Sequence, residues 1–415
     1  MPQQAVFDFD TVLDRRNTHC EKWDGMREHF GVSLENGIAL WVADMEFAPP
    51  PAVRAALRTM LDGVLGYPAD YGDYHAAITE WMRRRHGWHV QPEWISATHG
   101  IVVALNIIVQ AFCRPGDTVV VQPPVYYPFF GAVRNNGCRV AANRLVRGAD
   151  GLYAMDFDAL EEQLDDSVRM FILCSPHNPG GRVWSRAELE RLAELCLARD
   201  VLIVADEIHH DLVYPDAPHP HTVLASIAPE VAARTITCTS ATKTFNLAGT
   251  LTGNVIISDP HLRRQFERQM YRAGMYLPNA FGMAAATAAY THGEPWLEAL
   301  LPYLASNRDR VAEVVGTLSG VEGTPLQGTY LAWLDFSGFC TAWAAEHGTV
   351  QEKGGTVTGA VAMDEVVRRI EQQARLALNH GHTFGPGGER FMRLNFACAR
   401  PQLEEALARL AGAFG

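Results

Sequence analysis

Four short apolar runs, each broken by polar residues at its carboxyl end, constrain this chain more than any other feature. Thr118-Val119-Val120-Val121 leads into Gln122-Pro123-Pro124-Val125-Tyr126-Tyr127. Met170 to Cys174 leads into Ser175-Pro176-His177-Asn178-Pro179-Gly180-Gly181, and Val201 to Ala205 into Asp206-Glu207-Ile208-His209. Thr235 to Cys238 leads through Thr239 and Ser240 to Lys243. Helical segments such as SRAELERLAELCLARD lie between them. Continuous apolar strands alternating with helices predict an α/β fold, with a mostly parallel sheet covered by helices on both faces. Such sheets bind ligands at the carboxyl ends of their strands, where all of these polar residues fall.

The last run is the most telling. A lysine that follows a strand, in a loop of small and hydroxyl residues, can be held still and partly desolvated, and can then act as an amine nucleophile near neutral pH. Upstream, Ala97-Thr98-His99-Gly100 opens the apolar helix IVVALNIIVQAF. A buried helix start opened by glycine offers free N–H groups and a positive dipole to a phosphate. Pro51 is expected to open a helix over AVRAALRTML, and another is expected from about Tyr74 to His86 with Trp81 facing inward. Gly253 to Ser258 reads as one more strand. After about Tyr290 the character changes: a long helical stretch, strands at GTYLAWLDF and ERFMRLNFAC, and further helices suggest a smaller α+β domain. The expected division is 1–45 as an N-terminal segment packing on the small domain, 46–290 as the large domain and 291–415 as the small one. Residues 341–362 read as a mobile loop.

Composition excludes several classes. A formal net charge of −12 without a Lys/Arg block argues against a nucleic-acid surface. No run of about 18 apolar residues is present, and the acidic start MPQQAVFDFDTVLDRR lacks the pattern of a signal peptide, so a cytoplasmic protein with no membrane association is expected. Eight cysteines without a C-x-x-C pair read as reduced, partly core residues.

A lysine amine, a strand-end carboxylate, an asparagine in a tight turn, a tyrosine, a serine and a phosphate-ready helix start form the set that pyridoxal phosphate needs. Lys243 would make a Schiff base with the aldehyde, and Asp206 would pair with the pyridine nitrogen. Tyr126 would stack on the ring. Asn178 would donate to the ring oxygen, and Ser240 would join the helix start on the phosphate. Taken singly, Asp206 also suits an ordinary strand-end carboxylate, and Asn178-Pro179-Gly180 an ordinary turn.

The stretches WVADMEF, Gly66-Tyr67, PVYYPF, HNPGGRVW, ADEIHHDLVY, SATKTFNLAGT, THGEPWLEALLPYLASN, GTYLAWLDF and FMRLNFACAR, in this order, resemble the aspartate-aminotransferase-like family of pyridoxal-phosphate enzymes. Within it they are most similar to the cystathionine β-lyase, or C–S β-lyase, branch. The resemblance implies β-elimination on cystathionine or a related cysteine S-conjugate, giving a thiol, pyruvate and ammonia. It also implies roles for further residues. Gly100, Ile101 and Ser240 would bind phosphate, and His209 would stand near the ring oxygen beside Asn178. Arg393 would hold the substrate carboxylate as a two-bond fork, with the Ala43 backbone and Asn178 close by. Tyr67 would reach the phosphate of a neighbouring subunit, which implies a homodimer with shared sites.

One departure favours the lyase branch: Leu251 stands where aminotransferase relatives carry a phosphate-binding arginine. Two other readings share the scaffold, an aminotransferase acting on an α-amino acid and an interaction or regulatory protein that retains the fold. Ser240-x-x-Lys243 also fits a hydrolase motif, but the S-D-N partner of that motif is absent. His209-His210 and His219-Pro220-His221 lack helical ligand spacing, so no metal is expected.

Overall fold

The computed structural model describes residues 7–68, 71–347, 351–352, 355–356 and 358–415. Its main sheet has seven strands: β1 (Ile95–Thr98), β2 (Thr118–Val121), β3 (Arg139–Ala142), β4 (Val168–Cys174), β5 (Leu202–Asp206), β6 (Thr235–Thr239) and β7 (Gly253–Ile256). They lie in the order β1-β7-β6-β5-β4-β2-β3. β3, β2, β4, β5 and β6 pair in parallel, while β7 runs antiparallel to both β6 and β1. The four apolar runs form β2, β4, β5 and β6, and almost every residue in them is buried. Both faces of these strands are covered, which is why they read as continuous rather than alternating.

The register aligns the functional ends. Cys174 pairs with Asp206, and Asp206 with Cys238, so β4, β5 and β6 end level with one another. Because β7 runs backwards, its first residue, Gly253, opens at this same edge opposite Thr98.

Helices pack over the sheet. They include α1 (Pro51–Leu61), α2 (Gly72–His86), α3 (Ile101–Phe112), α4 (Arg186–Ala198), the single turn α5 (Ala241–Thr244), α6 (Ala280–His292) and α7 (Glu294–Val315). Pro51 opens α1, and Trp81 on α2 is fully buried, as the sequence predicts. α4 begins with a capping box: the Ser185 hydroxyl accepts from the Glu188 amide, and the Glu188 carboxylate accepts from the Ser185 amide.

A second, antiparallel sheet contains β8 (Glu322–Gly323), β9 (Leu331–Asp335), β10 (Asn379–His380) and β11 (Phe391–Asn395), in the order β8-β9-β11-β10. Arg393 on β11 is opposite both Trp333 and Asn379. The N-terminal segment adds Ile38–Ala39 in parallel to Leu376–Ala377, and the Asn395 amide then donates to the Leu40 carbonyl at 2.8 Å. Residues 41–47 are thereby carried over β11 towards the strand ends of the main sheet.

The loop expected over 341–362 is partly regular. A helix, α8 (Ser337–His347), precedes a two-residue antiparallel pairing of Gln351–Glu352 with Gly355–Thr356, and α9 (Thr358–Arg368) follows. Residues 348–350, 353–354 and 357 of that expectation lie outside the described residues. All eight cysteines are free, and among the described residues no helix is long and apolar enough to cross a membrane.

Candidate active site

A cavity of 290 Å³ opens at the carboxyl edge of the main sheet. Its walls include Gly100, Ile101, Tyr126, Asn178, Asp206, His209, Lys243 and the Ala43 backbone, eight of the residues singled out from the sequence. Each arrives by a short path from a strand end. Asp206 is the last residue of β5, Asn178 lies four residues past β4, and Lys243 is the third residue of α5, directly after β6.

Lys243 points at the N-terminal segment. Its Nζ donates to the Ala43 carbonyl at 2.5 Å, and the Tyr330 hydroxyl donates to the same oxygen at 2.9 Å. Burial lowers the ammonium to about 8, opposed mainly by the nearby Asp44 carboxylate. Asp206 is buried as well. Its hydrogen bond among the described residues comes from the Ile208 amide at 3.2 Å, and burial pushes its carboxyl up to about 7. His209 is buried with Nδ1 unpartnered, and desolvation holds its ring neutral.

Arg393 lies behind Asn178. It donates to Asn178 Oδ1 at 3.0 Å, to the Trp41 carbonyl at 2.8 Å and to Asn379 Oδ1, while its Nε has no partner. The guanidinium carbon sits 5.0 Å from the centre of the Phe384 ring. Among the described residues no carboxylate pairs with it, and burial lowers it to about 10. A buried guanidinium held by neutral oxygens alone has its charge available for an incoming anion.

At the other end, Gly100 opens α3 with φ +92°, a left-handed conformation that favours glycine. The Ala104 amide is the first to bond back, to the Gly100 carbonyl. The amides of Ile101, Val102 and Val103 precede it and are the free donors of a helix start, and these three residues line the cavity.

Three expected residues are absent from the cavity walls: Arg393 behind Asn178, Ser240 and Tyr67. Ser240 is buried behind the wall. Its Oγ lies 2.6 Å from the Thr252 carbonyl and 2.7 Å from Thr242 Oγ1, and accepts from the Thr242 amide at 3.0 Å. The hydroxyl caps α5 and fixes the Lys243 turn. Tyr67 is 89% exposed on the outer surface and does not line the cavity.

Sequence reasoning missed Thr242, Thr252 and Tyr330. The first two flank the lysine motif, and Tyr330 lies in the quoted stretch GTYLAWLDF, so a wider reading of those motifs would have reached them. His99, expected to be structural, lines the cavity and bonds the Leu277 carbonyl at 3.0 Å. Leu251 lines it too, 61% exposed and with φ +43°.

The cavity suits a flat, anionic, electrophilic guest: an amine at one wall, a carboxylate for a cationic ring atom, amides for a phosphate, and a guanidinium for a second anion. Comparison with known proteins agrees with this chemistry. Residues 35–410 match the family model described as aminotransferase class I and II. The chain is 41% identical over 408 residues to cystathionine beta-lyase PatB of Bacillus subtilis (strain 168), covering 98% of this chain and 99% of that protein. Among solved structures it resembles cystalysin from Treponema denticola, which contains a pyridoxal 5′-phosphate cofactor, with a TM-score of 0.88 and 34% identity over 99% of both chains. It also resembles the pyridoxal-phosphate-bound C–S lyase from Staphylococcus hominis, with a TM-score of 0.87 and 28% identity over 99% of this chain and 98% of that one.

Proposed function

Because the chain belongs to the aminotransferase class I and II family, we propose that it is a pyridoxal-phosphate-dependent C–S β-lyase, acting on cystathionine or a related cysteine S-conjugate. The observation that carries this reading is that Lys243 and Asp206 line one cavity and Arg393 stands behind its Asn178 wall, each ionisable and none with an ion-pair partner among the described residues.

When bound, the cofactor supplies a sink for the electrons left on an amino acid's α-carbon after that carbon loses its proton. Lys243 supplies the amine that holds the cofactor's aldehyde. Asp206 supplies the negative charge that keeps a ring nitrogen protonated, and that cation in turn keeps Asp206 ionised against its burial. Asn178 and the neutral His209 would meet the ring oxygen, Tyr126 would wall the ring, and the amides at the start of α3 would take the phosphate. Ser240 supports Lys243 through its cap. Arg393, held by Asn178 and Asn379, orients the substrate carboxylate.

Once the substrate amine has displaced it, Lys243 is placed to take the α-proton and to return a proton to the leaving thiolate. A group that titrates near 8 can do both close to neutral pH. A thiolate leaves readily because an ordinary thiol has a pKa of about 8.5. Leu251 in place of an arginine leaves the phosphate to amides and hydroxyls, in keeping with a lyase rather than an aminotransferase.

The working unit is a homodimer in the cytoplasm, with Tyr67 of each subunit reaching the other's phosphate. The exposed apolar run Leu61, Val64, Leu65 and Tyr67 supports this, since such a patch is normally covered.

The test is a panel of cysteine S-conjugates, cystathionine included, given to the purified yellow protein. Pyruvate released without an added keto acid is expected. Amino transfer that depends on a keto acid, with no pyruvate, would assign the chain to the transferases instead.

A further inference from the structure

On the far side of the Lys243 turn a second group of ionisable side chains meets at a solvent-open pocket of 570 Å³. His86 ends α2, while His210 and Asp211 follow β5. Their potential ligand atoms all lie within 4.8 Å of one another. His86 Nε2 is 2.8 Å from Asp211 Oδ1, and His210 Nε2 is 3.3 Å from Asp211 Oδ2.

The orientation of the rings is the informative part. His210 Nδ1 lies 2.6 Å from the Glu207 carbonyl, an oxygen that can only accept, so the ring proton sits on Nδ1. With Nδ1 engaged there, Nε2 is the ring atom left for another partner. That atom is buried without a hydrogen-bond partner and faces a carboxylate oxygen. A cation seated between Nε2 and that oxygen would satisfy both atoms at once. His221 repeats the plan: Nε2 lies 3.0 Å from the Glu207 carboxylate, and Nδ1 is buried and unpartnered. An imidazole that gives one N–H to a carbonyl or carboxylate and bares the other nitrogen is oriented as metal-binding histidines are.

We propose that His86, His210 and Asp211 hold a divalent transition-metal ion of the zinc class, with the fourth position open to the pocket beside His221. Two nitrogens and one carboxylate oxygen suit zinc, whereas magnesium and calcium prefer oxygen alone. Tetrahedral bonds of about 2.0–2.1 Å would place the ligands roughly 3.4 Å apart, so His210 is already spaced from Asp211 as an ion requires, while His86 would move away from its 2.8 Å contact. Asp211 is steadied from behind by Trp81 Nε1 at 3.1 Å and Thr244 Oγ1 at 2.7 Å. The neighbouring cation Arg85 stands 3.6 Å from Asp211, with its Nη1 turned 2.7 Å from Glu298. The ion would tie the end of α2 to the segment after β5. It is independent of the chemistry assigned to the cavity.

The experiment uses the untagged, cofactor-loaded, full-length protein, stripped with a chelator. It is titrated with zinc chloride by calorimetry and with cobalt(II) by visible absorption. One equivalent per chain and a tetrahedral cobalt spectrum are expected. H210Q should weaken binding by more than the roughly 10–100-fold that loss of a supporting partner costs. H86Q, at the last residue of α2, should do the same, with folding checked by circular dichroism and cofactor absorbance, and H29Q, at an exposed ring elsewhere, should leave binding unchanged. Absence of saturable binding, or binding that survives both H86Q and H210Q, overturns the proposal.

Discussion

Two groups of buried charge sit on either side of the Ala43 backbone, and they are built on opposite plans. In the N-terminal cluster, Lys22 and Glu46 are each 1% exposed and 2.6 Å apart. Arg15 reaches Asp44 at 2.7 Å and Glu46 at 3.0 Å, and Trp23 Nε1 donates to Glu46 at 3.0 Å. Each charge there meets its opposite within the protein. At the cavity, Lys243 and Asp206 in its wall and Arg393 behind Asn178 have no ion-pair partner among the described residues, and burial drives each towards its neutral form. The first cluster fixes the strap that carries Ala43. The second keeps its charge for a guest. Burial alone therefore does not distinguish a structural ion from a functional one; the missing partner does.

Substitutions can break this contrast. The largest effect is expected from K243A, which should lower pyruvate release by at least about 10⁴-fold, since it removes both the cofactor's anchor and the acid–base group. A steady-state assay with saturating cofactor checks this. K22M comes next. It removes the buried cation that Glu46 and Asp44 share, leaving Arg15 alone to face both carboxylates, and should cost up to about 3–5 kcal/mol of stability in denaturant unfolding, part of it regained in K22M/E46L. R393M should instead lower kcat/KM by the equivalent of about 2–5 kcal/mol, with a smaller loss of stability than K22M because no carboxylate loses a cation.

The pH effects are smaller and sharpen the same point. Asp206 binds its proton more tightly in the folded cofactor-free protein than in the unfolded chain, with a pKa raised from 3.8 to about 7. The stability this contributes is full below 3.8 and is lost as pH rises to about 7. Cofactor binding should cancel that loss, because a cationic ring atom then favours the carboxylate. Melting curves with and without cofactor across pH 4–7 read it out. Lys243 is lowered from 10.5 to about 8, so uptake of the aldehyde should rise through about pH 8 and level off above it.

Much of this was legible in the sequence for a physical reason: strands buried on both faces leave unbroken apolar runs, and the polar residues that end them mark the functional edge. β3 left no such trace, because Arg139-Val140-Ala141-Ala142 lies partly exposed at the edge of the sheet. Nor could composition say that β7 runs backwards, since pairing sense is decided by the chain's route. Ser240 was read for an anion alone, yet its hydroxyl also caps α5 and lies 2.6 Å from the Thr252 carbonyl, a role that only the fold reveals. The histidine group was invisible to motif spacing because α2 supplies His86 from far along the chain.

The chain's few lysines make one measurement decisive. Only Lys22, Lys243 and Lys353 are present. Lys22 is sealed by Glu46 and Asp44, and Lys353 lies outside the described residues. Borohydride reduction of the cofactor-loaded protein, followed by peptide mapping, should find one phosphopyridoxyl group per chain, on Lys243. A label on Lys22 or Lys353 instead, or none at all, would contradict the assignment of the cavity.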